Sequence, residues 1–427
     1  MPDQSPAAHK NAPTPAVTAT HPMTPPVMTE RRVGIVGGFL AAVGPVAMSL
    51  YTPAMPEIVS DFGTTESAVK LTLTVYFGGF CFAQLICGPL SDGYGRRPIT
   101  ILFMSIYLAA SVLALFAPTI EVMVLARLLQ GIGAAVGVTI SRAIVRDLFT
   151  SDRSARVMNL IGLVLAVGPA IGPTLGGLTL EFLGWHAIFL VMILHGIAVM
   201  TMMLFYVKET STPDRAQVRP RVLAKSYLSL LQQPYFLFSS LVLTGATGAL
   251  YTSATILPFI LMTRVGLTAS TFGMGMLLQT AFYISGSIIY RLLMNRIAIF
   301  KLSCIGLACT CSASILLAVL LRLYEPSYLL IMLPMGLYVT GIAFLSPQMS
   351  TAALAPFPHI AGSASAMMGF FQMIGGLIGG LISASMGDPV LAMATLLPLM
   401  GLLSLLSFIV WSRLKMPCAV IIHKIPT

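Results

Sequence analysis

Arg127 is the residue whose type and setting most demand a chemical explanation. It stands about two turns inside an apolar stretch, a depth at which insertion scales set a cost of roughly 2.5–3.5 kcal/mol. A cation so placed faces a cavity or a partner, or snorkels back to the surface near Glu121. No acid stands near the middle of any apolar stretch. Glu57, Glu121, Glu181 and Asp388 fall at one set of ends, Asp92 and Asp147 at the other. Three partners are therefore open to Arg127. A carbonyl-lined or water-filled site could satisfy it, an end-placed acid such as Glu121 could reach it, or a bound anionic or zwitterionic small molecule could supply the charge. His195, near the middle of another apolar stretch, is the one mid-stretch group that titrates near neutrality. It reads either as a packed structural residue or as a proton carrier.

Glycine-bearing motifs accompany these groups. In RLLQGIGAA (127–135), Gln130, Gly131 and Gly133 follow the arginine directly. In GPLSDGYGRRP (88–98), Gly88 and Gly95 allow close approach or a sharp turn. Asp92 there can cap a helix or pair across a hairpin, and Arg96 and Arg97 mark a cytoplasmic surface. In GPAIGPTLGG (168–177), Gly168, Gly172 and Gly176 recur every four residues as a small-residue stripe, Gly177 extends it, and Pro169 and Pro173 bend the helix. A plain basic turn and ordinary helix packing are the simpler readings of the last two motifs.

Enzymatic chemistry is not expected. The histidines are scattered, no His/Cys/Asp spacing suits a metal, and the serines have no positioned base. No cofactor and no metal site are expected. The six cysteines include no CxxC pair and read as buried free thiols. With no soluble basic domain, nucleic acid is not a partner.

The elements that position these groups are membrane helices. Apolar residues make up 57% of the chain, charged residues 9%, and the mean hydropathy is +0.91. A water-soluble domain carries roughly 25% charged residues, so most of these side chains face lipid or other helices. Spans of about 20 apolar residues fall near 33–53, 68–88, 98–118, 121–143, 157–180, 186–207, 235–262, 270–291, 299–321, 327–347, 361–386 and 389–412. PFPH at 356–359 must supply the turn between the tenth and eleventh. Of the 24 Lys and Arg residues, only Lys70, Arg264 and Arg322 lie on the side opposite the termini, with Arg127 inside a span. That bias puts both termini in the cytoplasm. Residues 1–32, rich in Pro, Thr and Ala, read as a disordered cytoplasmic tail without a cleavable signal. The spans divide six and six, into bundles over 33–207 and 235–413, joined by a polar cytoplasmic linker over 208–234 and followed by a tail over 414–427.

The motifs carry a resemblance. The acid, glycine and paired arginines of GPLSDGYGRRP resemble the loop between helices 2 and 3 of the major facilitator superfamily. RLLQGIGAA resembles its fourth-helix pattern, and GPAIGPTLGG the pattern associated with exporters working by antiport. SLYTPAMPEI (49–58), RAIVRDLF (142–149), LGWHAIF (183–189) and APFPHIAGSASAMMGFFQ (355–372) resemble the Bcr/CflA drug-efflux family, which includes exporters of bicyclomycin and chloramphenicol. The resemblance runs from about 35 to 412.

It implies an all-α membrane protein of the major facilitator fold, with 12 transmembrane helices in two six-helix bundles. It implies a monomer in the bacterial inner membrane that exports small, largely apolar drugs in exchange for protons. Export of an endogenous, anionic metabolite with altered or no proton coupling is the alternative. The resemblance assigns Gly88, Asp92, Gly95, Arg96 and Arg97 to a cytoplasmic gate that latches the bundles together. Arg127, Gln130 and Gly131, with His195 as a substitute titrating group, would serve coupling or substrate binding. Ser49, Tyr51, Tyr76, Tyr251, Phe282 and Tyr283 would line the cavity. Two departures stand out. The family carries an acid in the first span before its Tyr-Leu-Pro, where this chain has Ser49, Tyr51, Thr52 and Pro53. It also carries basic residues where this chain has Gly93 and His186.

Overall fold

The computed structural model describes residues 28–149, 151–211, 213 and 220–416, apart from the side chains of 151, 152, 155, 163, 166, 167, 169, 170 and 359. Most of the expected N-terminal tail, part of the 208–234 linker and the tail beyond 416 lie outside the described residues, as does the side chain of Pro169.

The described chain is helical throughout. The first span is α1 (Glu30–Tyr51), carried on by a 3-10 turn (Thr52–Ala54) and α2 (Met55–Asp61). Then follow α3 (Glu66–Tyr94), α4 (Arg96–Leu115), a fourth span made of α5 (Ile120–Ala134) and α6 (Val136–Leu148), α7 (Ser151–Leu183) and α8 (Trp185–Phe205). A short polar-segment helix, α9 (Pro220–Leu231), leads to α10 (Pro234–Pro258), which ends in a π turn (Phe259–Arg264). The remaining spans are α11 (Ala269–Leu293), α12 (Ile299–Leu323), α13 (Tyr328–Leu354), α14 (Ala361–Met386) and α15 (Pro389–Arg413). Among the described residues eleven spans are long and apolar enough to cross a membrane, and α7, with 33 residues, makes the twelfth.

Local chemistry starts and stops these helices. Thr29, Thr65 and Thr268 accept from the backbone amides of Arg32, Ala68 and Thr271, and Asp388 accepts from Val390, so each satisfies an orphan donor of the first turn. Gly95 separates α3 from α4 at φ 103°, a conformation closed to most side chains. PFPH does form a turn: α13 ends at Leu354 and a 3-10 turn over Pro358–Ile360 leads into α14.

Two apolar cores result. One gathers α1 to α8, the other α10 to α15 with Leu230 of α9. Phe259, the first residue of the π turn, is buried in the first core instead, and Tyr251, Met262, Met373 and Leu377 pack partly buried against that core. The bundles meet along two helix pairs, α3 with α14 and α7 with α11. Here "termini face" means the end carrying Glu30, Arg96 and Arg413, and "far face" the end carrying Phe62, Lys70 and Asp388. Small and hydroxylic residues make several of the contacts that close the far face, beside the buried Phe259. Ser67 Oγ donates to the Ala384 carbonyl at 2.6 Å, and Thr174 Oγ1 to the Gly273 carbonyl at 2.9 Å. The Ser270 amide donates to Glu181 Oε2 at 3.0 Å. A Cβ on Gly177 would run into the Ala269 carbonyl.

Candidate functional site

Arg127 is fully buried inside the first bundle, between α1, α3 and α5. Its guanidinium lies between two tyrosine rings, 4.1 Å from the centroid of Tyr51 on α1 and 4.5 Å from that of Tyr76 on α3. Nη1 donates to Gln130 Oε1 and reaches the Ala47 carbonyl at 3.5 Å. Gln130 Nε2 in turn donates to Ser111 Oγ at 2.7 Å and contacts Met192 Sδ at 3.4 Å. The rings are themselves pinned, Tyr51 by Thr72 Oγ1 at 2.6 Å and Tyr76 by the Gly44 carbonyl at 2.9 Å. Arg127 Nε and Nη2 have no hydrogen-bond partner among the described residues.

Of the three partners open to Arg127, an end-placed acid is ruled out in this structure. Glu121 is hydrogen-bonded to Thr119 at the helix start, and two aromatic faces with a carbonyl and an amide surround the cation. Ring quadrupoles attract a desolvated cation by about 2 kcal/mol or more, which is how a buried charge persists without a carboxylate. Gly131 and Gly133 bring the helices close enough for this. Added Cβ atoms there would meet the Tyr76 carbonyl on α3 and the Tyr107 backbone on α4.

Several expected cavity residues lie elsewhere. Ser49 faces α7, not a cavity: its hydroxyl donates to the Pro45 carbonyl at 2.7 Å, and Gly172 packs directly against it. Positions 49 and 51 sit about 200° apart around a helix, so Tyr51 meets Arg127 while Ser49 points away. Tyr51 and Tyr76 are buried cage walls rather than free surface. Phe282 packs on Gly336 and lines an apolar groove with Leu316, Leu329 and Leu333. Tyr251 remains at the meeting of the bundles, its ring 5.5 Å from that of Phe77, with Tyr283 near it.

His195 lies away from this cage. Its Nε2 is 3.2 Å from the Phe39 carbonyl, and it lines a groove of about 440 Å³ between α1, α7 and α8 with Val46, Leu50, Ile171 and Leu194. The glycine stripe forms part of that contact. Gly168 meets Val46, while Gly172 and Gly176 meet Ser49 and Leu50. Gly177 and the Pro173 carbonyl turn instead toward α11 of the other bundle.

At the termini face, Arg96 ties α3 to α6. It pairs with Asp92 and with Asp147 at 2.9 Å, and donates to Ser91 Oγ at 2.7 Å. Arg97 donates to the carbonyls of Met203 and Leu204 at 3.3 and 2.7 Å. Glu209 accepts from the Arg96 and Arg97 amides at 2.9 and 3.1 Å, so it caps α4 with a full negative charge. A Cβ on Gly95 would stand 2.6 Å from this carboxylate, and Gly88 lies against Thr139. The resemblance implied a latch between the bundles. In this conformation the named partners of Asp92, Arg96 and Arg97 all belong to the first bundle and the segment after α8.

Sequence reasoning missed two charged groups. Glu209 is separated from Arg96 by 113 residues, and nothing local marks it as a cap. Lys70, counted above among far-side charges, is fully buried at the seam, 3.6 Å from Glu66 and 5.1 Å from the ring centroid of Phe259 in the other bundle. Its signal was faint: a lone lysine one turn inside a span, four residues after an acid.

Two helical bundles meet along two helix pairs, with a caged cation inside the first. The model of the Major Facilitator Superfamily matches residues 37–380, and the chain belongs to that superfamily. It is 30% identical over 354 residues to an uncharacterized MFS-type transporter, YdgK, of Bacillus subtilis, covering 82% of this chain and 87% of that protein. It is 27% identical over 350 residues to a bicyclomycin resistance protein homolog of Haemophilus influenzae, covering 82% and 88%. Multidrug resistance protein D of Escherichia coli is 27% identical over 372 residues, covering 87% and 93%. In fold the chain resembles the xylose transporter XylE of Escherichia coli in a partially occluded inward open conformation, with TM-score 0.68, 13% identity and 90% and 98% of the two chains covered.

Proposed function

We propose that this protein exports small, largely apolar molecules across a bacterial inner membrane, both termini cytoplasmic, by alternating access of its two bundles. The carrying observation is the far-face seam, where the bundles meet through glycines and hydroxyls such as Gly177, Ser67 and Thr174. Contacts between small residues close tightly and part readily, and Phe259 is a large side chain that opening must draw from the opposite core. Relatives named for bicyclomycin and multidrug resistance support a drug-like cargo. A monomer exchanging cargo for protons is the working form of this reading.

A second reading, export of an anionic metabolite with altered or no proton coupling, is favoured by the arginines. Arg127 has no carboxylate partner among the described residues that could carry a proton beside it. Arg142 and Arg146 lie one turn apart on the exposed row of α6, with no hydrogen bond or ion pair among the described residues. Arg146 Nη1 comes within 4.0 Å of a Cβ built on Gly362, so this arginine borders α14 of the other bundle. Energised inside-out vesicles separate the readings. Cargo-dependent collapse of the pH gradient with chloramphenicol-type compounds supports proton-coupled drug export. Accumulation of a labelled organic anion with no collapse supports the second reading. Neither response, with the protein folded and inserted, sinks both.

A further inference from the structure

Lys70 is a wholly buried ammonium on the seam of the far face. Its Nζ lies 3.6 Å from Glu66 Oε2, and neither atom has a hydrogen-bond partner among the described residues. The other bundle supplies the Phe259 ring at 5.1 Å and the nearby charge of Asp388, the N-cap residue of α15. The closing contacts surround it. Ser67, one turn before Lys70, donates to Ala384, and Thr74, one turn after, packs against Gly380.

Glu66 stands four residues before Lys70 on the same helix, so that pair moves as one body when the bundles part. Opening therefore keeps Glu66, loses Phe259 and Asp388, and returns the ammonium to water. An ammonium in water is better solvated than one beside a ring and a carboxylate that makes no hydrogen bond to it. We infer that Lys70 is a positioning residue for alternating access: its dehydration on closure weakens the far-face seal enough for the bundles to part in each cycle. This holds whichever cargo is carried and needs only that the bundles separate on this face.

The consequence is a pair of opposite shifts. Lys70→Met removes the dehydration cost while keeping an apolar body in the seam, so the far face closes more firmly. Glu66→Gln leaves the ammonium with less compensation in the closed state, so the same face opens. The test uses the full-length protein in lipid nanodiscs, with spin labels on the 62–65 and 264–268 loops and distance distributions read by pulsed electron resonance. Lys70→Met should raise the closed-to-open ratio by about tenfold, Glu66→Gln should lower it, and Lys70→Arg should stay near the parent. A Lys70→Met distribution that is unchanged or more open overturns the inference, as does a shift of Glu66→Gln toward closure. If Lys70→Met fails to insert, Phe259→Leu replaces it and must move the ratio toward the open state.

Discussion

Two buried cations, Arg127 and Lys70, share one physical problem and resolve it differently. Among the described residues neither makes a hydrogen bond to a carboxylate, and both lie against aromatic rings. Every group that compensates Arg127 belongs to its own bundle: Tyr51, Tyr76, Gln130 and the Ala47 carbonyl. Of the groups that compensate Lys70, Glu66 belongs to its own bundle, while Phe259 and Asp388 come from the other. A rigid movement of one bundle against the other leaves the first cation untouched and changes the surroundings of the second. Buried charge is thus a fixed feature in one place and a variable one in the other.

The sharpest way to break this comparison is to make the same substitution at both positions. Arg127→Met removes two cation–ring contacts and strands Gln130, which should cost about 2–4 kcal/mol of stability and reduce transport to background. Lys70→Met should raise the melting temperature, because a poorly compensated buried charge is replaced by apolar volume. Detergent thermal unfolding with parallel transport assays reads both effects. Melting temperatures that shift in the same direction would show that the two cations are not differently compensated.

The glycine stripe carries the same contrast one level down. Gly176 faces the Leu50 carbonyl of its own bundle, while its neighbour Gly177 faces the Ala269 carbonyl across the seam. Gly176→Ala should lower stability by about 1–3 kcal/mol through overpacking without shifting the bundle equilibrium. Gly177→Ala should fold nearly as well as the parent and hold the far face open. Label distances on that face, taken beside unfolding curves, separate the two. Equal effects on both readouts would mean that the stripe is a single packing surface.

A smaller effect is expected at the cage walls. Tyr51→Phe and Tyr76→Phe keep the rings over Arg127 and lose only the bonds to Thr72 and Gly44, a change of about 1 kcal/mol each. Transport should survive. Tyr51→Leu, which removes the ring face, should behave more like Arg127→Met. A Phe variant as damaged as the Leu variant would shift the weight from ring to hydroxyl.

What was legible in the sequence follows from the range over which each feature acts. Spans and turns are written locally, in runs of apolar residues and in signals such as GPLSDGYGRRP and PFPH, so the helical membrane fold could be read directly. Arg127 and Gln130 are one turn apart, and their pairing follows from helix geometry. Which neighbouring helix each face meets is not written locally. Ser49 and Tyr51 are two residues apart, yet one faces α7 and the other Arg127. Glu209 reaches α4 across more than a hundred residues. Lys70 was hidden by its position near a span end, where a hydropathy profile treats a lysine as interfacial. Only the docking of α10 shows that an aromatic ring covers it.

The smallest effect is expected at His195, and its smallness is informative. The sequence offers it as a proton carrier by depth and ordinary pKa, but depth in the membrane is shared by groups facing the bundle interface and groups facing outward. Its ring lies in the groove between α1, α7 and α8, with Phe39 beside it at 6.0 Å. No charged side chain lines that groove among the described residues, so a proton taken up there would have no counter-charge to respond to it. His195→Asn keeps a polar group able to reach the Phe39 carbonyl and should leave the pH dependence of transport unchanged, with stability altered by about 1 kcal/mol at most. Rates measured from pH 5.5 to 8.5 in proteoliposomes, roughly one unit below to two above the ordinary histidine value, would reveal a lost titration step. Such a loss would put a moving charge in the outer groove and reopen the division between fixed and variable cations.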